Sequence, residues 1–269
     1  MDKRDFEPIS LGRILYKVDV YLGHNDYDGA ERLLLYWMDE AKAQGDKRSE
    51  YSLHNELMGL YRKLAREDDA IGHARRALEL IDELQFSGSV SGATGYVNTA
   101  TVYKAFGRAE QALPLFEKAM KIYEEQLPGD DPRLSAMYNN MALALIDLAG
   151  WDEAEMYFRK ALRIQAMLDN GAADAAITWL NMADMEFIKA GHVWEGNPRI
   201  AEYVDTAQEL LDMEDIIHDG HYAFVCEKCA PVFKMYGREE AADRFAAAAQ
   251  KHCSVSPLIS AVPWTSTGT

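Results

Sequence analysis

The sequence lacks the features of a secreted or membrane-spanning protein. No apolar run in its 269 residues approaches the roughly 20 residues that span a bilayer. The three cysteines, Cys226, Cys229 and Cys253, are odd in number and clustered near the C-terminus, unlike the even, dispersed set of a disulfide-stapled secreted domain. Residues 1–7 mix acidic with basic side chains and precede no apolar stretch, so they do not form a secretory signal. We therefore expect a cytoplasmic protein.

Basic residues are also in short supply. The chain has 28 Lys plus Arg against 44 Asp plus Glu, a formal charge of -16. Such a charge repels phosphate backbones and anionic lipids, so neither nucleic acid nor a membrane surface is an expected partner. A basic or neutral protein is favoured electrostatically. The simpler interpretation is that the acidic surface keeps the protein soluble.

Motifs of catalysis are missing as well. There is no Gly-x-Ser-x-Gly, no Gly-x-x-x-x-Gly-Lys and no His-Glu-x-x-His. Acidic pairs such as Glu124-Glu125 and Asp130-Asp131 lie where helix ends and turns are expected, and there capping and solvation explain them. We predict no catalytic residues, no cofactor and no enzymatic activity.

What the sequence does contain is a repeat of 42 residues. Three segments that begin at Leu57, Thr99 and Met141 align without gaps. Their apolar residues recur at intervals of three and four, which indicates amphipathic helices, and a turn divides each copy into two helices. Small residues at fixed positions indicate helices that cross closely. The repeated alanines are Ala70, Ala77, Ala112, Ala119, Ala154 and Ala161.

The pattern extends outward from these copies to about six helix pairs. The fifth copy fits only if about five residues are inserted within His192–Arg199. Pro132 and Pro198 lie near helix starts, where the missing N–H costs little. We predict a single solenoid over residues 1–253, followed by an uncharged tail. The approximate repeats are 10–46, 48–88, 90–130, 132–172, 173–214 and 217–253, and the tail is 254–269.

These residues resemble the tetratricopeptide repeat (TPR). The stretch from Tyr138 to Ala142, followed by Trp151 to Ala154, is most similar to the long repeats of kinesin light chains and related bacterial proteins. The resemblance covers about residues 10–252 and is strongest over 50–168, although 42 residues exceed the usual period of 34. It implies an all-α fold, a right-handed alpha-alpha superhelix whose first helices line a concave groove for peptides or partner helices.

Asparagines at one repeat position are the main candidate binding residues. Asn98, Asn140 and Asn181, which we call the asparagine row, lie 42 and 41 residues apart, and Asn55 misses this position by one residue. A side-chain amide both donates and accepts hydrogen bonds, so the row can grip the backbone of an extended peptide. The alternative is that each asparagine bonds a neighbouring helix, because buried polar groups need partners.

The third repeat begins with an uncharged segment. Residues 86–103 contain no charged side chain, and we favour burial in the array over contact with a ligand. Lys104 follows this segment, and Arg62 and Lys63 are expected nearby. These side chains are candidates for contact with a partner carboxylate, although solvated surface charges are the commoner explanation.

One group of residues has metal-like chemistry. His218, His221, Cys226 and Cys229 combine imidazoles with a pair of cysteines spaced as in zinc sites. The second half of a zinc-ribbon pattern is absent, and both cysteines fall on interior positions of the repeat, where cysteine behaves as a small hydrophobe. We therefore favour packing and predict no metal.

The favoured function is that of a protein- or peptide-binding scaffold that uses the groove lined by the first helices. The alternative is a cytoplasmic signal-peptide sensor or regulator without its own DNA-binding domain, because bacterial quorum-peptide receptors use similar arrays. Self-association is also open, since solenoid ends expose apolar faces unless they are capped. The apolar residues of the tail, among them Leu258 and Trp264, lead us to expect that it packs on the last repeat or on the groove.

Overall fold

The structure, a computed structural model, describes residues 9–252, and all regular structure in that range is α-helical. None of the helices in this range combines the length and the apolarity that crossing a membrane requires. The all-α fold of about six helix pairs is confirmed, while the tail and its expected packing lie outside the described residues. The helices are α1 (Leu11–Gly23), α2 (Tyr27–Gln44), α3 (Lys47–Lys63), α4 (Glu67–Glu83), α5 (Val90–Ala105), α6 (Ala109–Gln126), α7 (Pro132–Asp147), α8 (Trp151–Gln165), α9 (Gly171–Lys189), α10 (Pro198–Leu211), α11 (Gly220–Met235) and α12 (Glu239–His252).

The described residues divide into two compact units. The first unit ends at Ile122 and the second begins at Tyr123, so the boundary falls inside α6. In the first unit α3 packs against α2, α4 and α5, and in the second α9 packs against α8, α10 and α11. The single solenoid over residues 1–253 stays a prediction.

Alanines at the helix crossings determine how closely the helices of a repeat approach. All six repeated alanines have an exposed fraction of 0%, as the repeat pattern predicts. A larger side chain at such a crossing has no space to enter, and overpacking of this kind typically costs about 1–3 kcal/mol. The fixed alanines therefore explain why the pairs α3–α4 and α7–α8 pack along their length.

The turn inside each repeat needs one residue in the left-handed conformation. Gly107 supplies it in the third repeat, with φ of 70°, as expected for a helix C-terminus. In the fourth repeat Ala149 adopts φ of 58° instead, and Gly150 caps the start of α8. Ala65 takes the same role in the second repeat, with φ of 54°. Glycine therefore takes the left-handed position in the third repeat, and alanine takes it in the second and fourth repeats.

The enlarged turn of the fifth repeat is present as predicted. Eight residues, 190–197, separate α9 from α10, whereas three separate α3 from α4 or α7 from α8, so the insertion is five residues. The turn ends at Asn197, whose Oδ1 accepts hydrogen bonds from the backbone N–H groups of Arg199 and Ile200. Pro198 occupies the first helical turn of α10, where its missing N–H has no helical partner to lose.

The uncharged segment is largely interior. Nine residues of α5 are buried, among them Gly95 and Tyr96, so the favoured interpretation of burial is confirmed. A Cβ at Gly95 would collide with Tyr51 Oη, and that hydroxyl donates to Ser91 O at 2.7 Å. The glycine therefore allows α3 and α5, the first helices of two successive repeats, to lie against each other.

Candidate functional site

One side of α3 carries an open polar surface in the first unit. Asn55, Gly59 and Arg62 are spaced by four and three residues, so they lie on one side of the helix, and all three are half-buried. Outside the local helix backbone, no atom of the described residues lies within 4 Å of the place where a Cβ on Gly59 would stand. We call these three residues the α3 face. Its centre is the half-buried backbone of Gly59, beside which a Cβ would have space.

The α3 face is joined to α5 by a pair of amides. Asn98 Nδ2 donates to Asn55 Oδ1 at 2.9 Å, and Asn55 Nδ2 donates to Tyr51 O at 2.9 Å. Asn98 is half-buried, and among the described residues nothing hydrogen-bonds its Oδ1. This oxygen and the second hydrogen of each amide remain available for the backbone of a ligand.

The corresponding amides of the second unit are closed off from solvent. Asn181 Nδ2 donates to Asn139 Oδ1 at 3.2 Å, and the two residues are only 2% and 4% exposed. Asn140 is 4% exposed, and its Nδ2 has no hydrogen-bond partner within the described part of the chain. Sequence reasoning missed Asn139, although its spacing of 42 residues to Asn181 is within one residue of the 43 between Asn55 and Asn98.

A glutamate takes the place of the asparagine row in the second repeat. Glu56 lies 42 residues before Asn98 and is half-buried. Its burial raises the pKa of its carboxyl to about 7, and the nearby Asp19 carboxylate on α1 raises it further in the same direction. Burial also raises the pKa of Asp19. Within residues 9–250 neither carboxyl has a hydrogen bond or an ion pair, and sequence reasoning singled out neither residue.

Arg62 is the positive end of the α3 face. Burial lowers the pKa of its guanidinium to about 10, and the described residues offer it no ion pair. By contrast, the half-buried Arg76 pairs with Glu50 at 3.1 Å, and Arg108 pairs with Glu67 at 2.6 Å. Arg62 thus stands apart from these other half-buried arginines. Lys104, the other predicted carboxylate contact, is half-buried near the end of α5.

The histidines of the metal-like group are used in local contacts. His218 stacks on the ring of Tyr222, with centroids 4.4 Å apart. His221 Nε2 lies 3.1 Å from Asp174 Oδ1, and this hydrogen bond raises the pKa of the imidazole. Each histidine thus has an aromatic or acidic partner of its own.

The two cysteines of that group are buried in α11 as free thiols. Burial raises the pKa of Cys226 to about 11 and raises that of Cys229 as well, so both stay protonated near neutral pH. In the part of the chain that the structure describes, no three His, Cys, Asp or Glu side chains are grouped to hold a metal ion. The arrangement is that of packing residues.

A pocket of about 250 Å³ lies in the second unit beside the inserted turn. Tyr236, one of its walls, donates from Oη to Asp184 at 2.6 Å, and burial raises the pKa of this aspartate to about 6. The pocket is of a size to hold one apolar side chain. It is lined by Trp194, Asn197, Pro198, Ile200, Val204 and Tyr236, among others.

Comparison with known families agrees with this repeat geometry. The tetratricopeptide repeat pattern matches residues 50–125 and, separately, residues 134–168. The chain contains tetratricopeptide repeats (TPRs) over these residues. No curated protein matches the chain as a relative. The match over residues 50–125 and 134–168 confirms the predicted tetratricopeptide repeats.

Solved structures show the same fold at low sequence identity. BtubC (BKLC) from P. vanneervenii is 19% identical with a TM-score of 0.50, covering 94% of this chain and 99% of that one. A putative kinesin light chain of Podosopora anserina with nearly identical TPR-like repeats is 16% identical with a TM-score of 0.50, covering 74% and 92%. PilW, a type IV pilus biogenesis factor, is 17% identical with a TM-score of 0.53, covering 93% and 96%.

Proposed function

We propose that this TPR protein is a scaffold that binds an extended peptide segment of a partner protein on the first helices of its first unit. Tetratricopeptide repeats are generally protein–protein interaction modules and are typically not catalytic. The proposal places the contact on the α3 face together with Asn98. A cytoplasmic location stays a prediction.

The observation that carries this proposal is the open backbone at Gly59 beside the half-buried amides of Asn55 and Asn98. An extended chain presents an N–H and a C=O at each residue and needs partners for both when it is buried. Asn98 Oδ1 offers an acceptor, and the amide hydrogens offer donors. Because Gly59 has no side chain, a ligand backbone can approach the helix closely there.

The other members of the asparagine row have a different role in this proposal. Asn140 and Asn181 are buried, so a ligand cannot reach them without a rearrangement of the helices. We assign Asn181 to holding adjacent first helices together through Asn139. Lys104 remains a proposed contact for a partner carboxylate.

The comparisons give no support to a signal-peptide sensor, and we do not propose it further. Catalysis is also not proposed. The α3 face and the neighbouring Asn98, Asp19 and Glu56 together supply amides, carboxyls and an arginine, and none of these is arranged as a nucleophile with a base beside it. Recognition of a polypeptide is the chemistry that these groups perform best.

Two helix glycines provide a matched test. At both Gly59 on the α3 face and Gly72 on α4, no described atom outside the local helix backbone lies within 4 Å of the place where a Cβ would stand, so the first carbon of the side chain in Gly59→Leu and Gly72→Leu has space. Both changes should raise helix stability slightly, by up to about 1 kcal/mol. We expect wild type and Gly72→Leu to retain the same partner from a lysate of the source cells, and Gly59→Leu to lose it.

Quantitative mass spectrometry of the retained proteins and circular dichroism of all three chains provide the readouts. Equal retention by folded Gly59→Leu and Gly72→Leu would show that the α3 face does not contact the partner. Retention of nothing by wild type would count against a scaffold for a soluble protein partner.

A further inference from the structure

We propose that the segment bound on the α3 face carries a basic side chain, held by Asp19 and Glu56, and an acidic side chain a few residues away, held by Arg62. This inference rests on the proposed function and adds the chemistry of the partner. It follows from the charged groups that the first unit leaves without ion pairs beside the open backbone of Gly59.

The acidic half of the site comes from two first helices. Asp19 of α1 and Glu56 of α3 are half-buried, and neither has an ion pair in residues 9–250. The charge of Asp19 acts on Glu56, so the two carboxylates repel each other when both are ionised. A lysine or arginine side chain placed between them removes that repulsion and restores the hydrogen bonds lost on burial.

The basic half of the site is Arg62. A half-buried guanidinium has lost part of its hydration, and the described residues give it no carboxylate in return. Guanidinium groups bind carboxylates through two parallel hydrogen bonds, which gives strength and direction. A glutamate or aspartate of the partner is therefore the complementary group.

The spacing of these charges limits the sequence of the partner. Glu56 and Arg62 are six residues apart on α3, which corresponds to about 9 Å along the helix axis. An extended chain covers that distance in about three residues. Gly59 lies between them and leaves room for the ligand backbone. The preferred segment therefore has a basic and an acidic residue about three positions apart.

The fold itself gains little from these three charges. Unpaired charges that lose hydration on folding reduce stability, and natural proteins keep such groups chiefly where function requires them. The contrast with Arg76 and Arg108, which both form ion pairs in the same unit, shows that the repeat can supply partners for half-buried arginines. Asp19, Glu56 and Arg62 have no ion-pair partner among the described residues, and we expect a ligand to supply one for each.

Selection from a phage-displayed library of random linear dodecapeptides tests the proposal on the full chain. Wild type should enrich peptides with Lys or Arg about three positions from Asp or Glu. A synthetic peptide from this selection should bind Glu56→Gln, Asp19→Asn and Arg62→Gln about tenfold more weakly, which corresponds to about 1.4 kcal/mol. Glu40→Gln removes another half-buried carboxyl, on α2, and should bind like wild type.

A charge reversal separates an effect on peptide binding from a loss of stability, because an unfolded variant would not select a new class of peptides. The double variant Glu56→Lys with Arg62→Glu should select peptides in which the order of the basic and acidic residues is inverted. The selected peptides could instead lack paired charges and bind Glu56→Gln as tightly as wild type, while Gly59→Leu fails to bind them. That result would overturn the charge proposal and leave the proposed function standing. Failure of wild type to select any peptide would overturn both.

Discussion

The two compact units are built from the same repeat, yet the polar groups on their first helices differ in exposure and in pairing. In the first unit the amides of Asn55 and Asn98 are half-buried and the charges of Glu56 and Arg62 have no ion pairs among the described residues. In the second unit Asn181 and Asn139 are buried, and Arg199 forms ion pairs with Glu186 and Glu155. The same register therefore forms an open binding surface in one unit and a closed structural contact in the other.

The charges of the second unit show how this closure is achieved. Arg199, at the start of α10, pairs with Glu186 of α9 at 3.0 Å and with Glu155 of α8 at 2.9 Å. Asp174 pairs with His221 at 3.1 Å. The inserted turn positions Arg199 by placing Asn197 as the cap of α10. An insertion that looks like a loop extension thus completes an internal ion-pair network.

Loss of Arg199 should have the largest effect on the second unit. Arg199→Ala leaves Glu186, which is 7% exposed, as a buried carboxylate without its cation, and we expect a loss of about 3 kcal/mol in the free energy of unfolding. Arg159→Ala is the control, because Arg159 also bonds Glu155 but its side chain is 52% exposed, so its loss should cost under about 1 kcal/mol. Urea unfolding measures both. Equal costs would mean that the network does not stabilise the unit.

Acid should weaken the first unit through His54. Burial and the neighbouring His73 lower the pKa of His54 to about 3, so the folded state binds fewer protons than the unfolded state, whose imidazole has its ordinary value of 6.5. The contribution of neutral His54 to the free energy of unfolding is therefore complete above pH 6.5. It decreases as pH falls and is about 2 kcal/mol smaller at pH 5. His54→Asn should flatten this limb of the stability profile.

His221 in the second unit provides a comparison of opposite sign. Its hydrogen bond to Asp174 raises the pKa of the imidazole, so its stabilisation is present below the unfolded value and is lost as pH rises through the folded value. His221→Asn should therefore destabilise the protein more at pH 5 than at pH 8. Urea unfolding of His54→Asn and His221→Asn between pH 5 and pH 8 measures how each change alters the pH dependence of the free energy of unfolding. Changes in the same direction for both variants would contradict the opposite signs assigned to the two histidines.

Truncation of the amide pairs compares the two units at equivalent positions. Asn181→Ala leaves the buried Oδ1 of Asn139 without its donor and should cost about 1–2 kcal/mol. Asn98→Ala leaves Asn55, which is half-buried and can turn to water, so the cost should be below about 1 kcal/mol. Thermal unfolding of both variants gives the difference. A larger loss for Asn98→Ala would remove the distinction between an open and a closed first-helix surface.

Replacement of Glu56 should change stability in the opposite direction, with a gain and not a loss. The pKa of about 7 lies above the ordinary 4.5, so the charged form is disfavoured in the folded state, and the penalty is complete above pH 7 and absent below pH 4.5. Glu56→Gln should thus stabilise the protein at pH 8 and not at pH 4. The full pKa shift sets an upper limit of about 3 kcal/mol, and solvent that reaches the half-buried carboxyl reduces the gain below this limit. Glu40→Gln serves as the control. A pH-independent gain would assign the effect to packing and not to charge.

The sequence was most informative where the repeat is regular. The phase of Ala70, Ala112 and Ala154 predicted the buried crossings, and the alignment of the fifth copy predicted an insertion of five residues. It was less reliable at turns, since Ala149 took the left-handed conformation expected of glycine. A turn of fixed geometry accepts alanine at a modest cost in free energy when the flanking helices hold it in place.

For the candidate site, the sequence identified the asparagine row but not which of its members a ligand can reach. Asn98 and Asn181 have the same residue type and register, and only the packing around them distinguishes the half-buried amide from the closed one. Glu56 was overlooked because it departs from the pattern, although that departure is itself visible when the copies are aligned. Gly59 gave no sequence signal, since a helix glycine has meaning only if the space beside it is empty.

The sequence by itself thus determined the helical period, the paired helices, the alanine crossings and the family, because these depend on spacing along one chain. Only the tertiary structure decided which polar groups have partners. Hydrogen bonds such as those from Asn98 to Asn55 and from Tyr236 to Asp184 join residues 43 and 52 positions apart, and their formation depends on helix orientation. Whether Asp19 and Arg62 are matched or left for a ligand is likewise a property of the neighbours that folding brings to them.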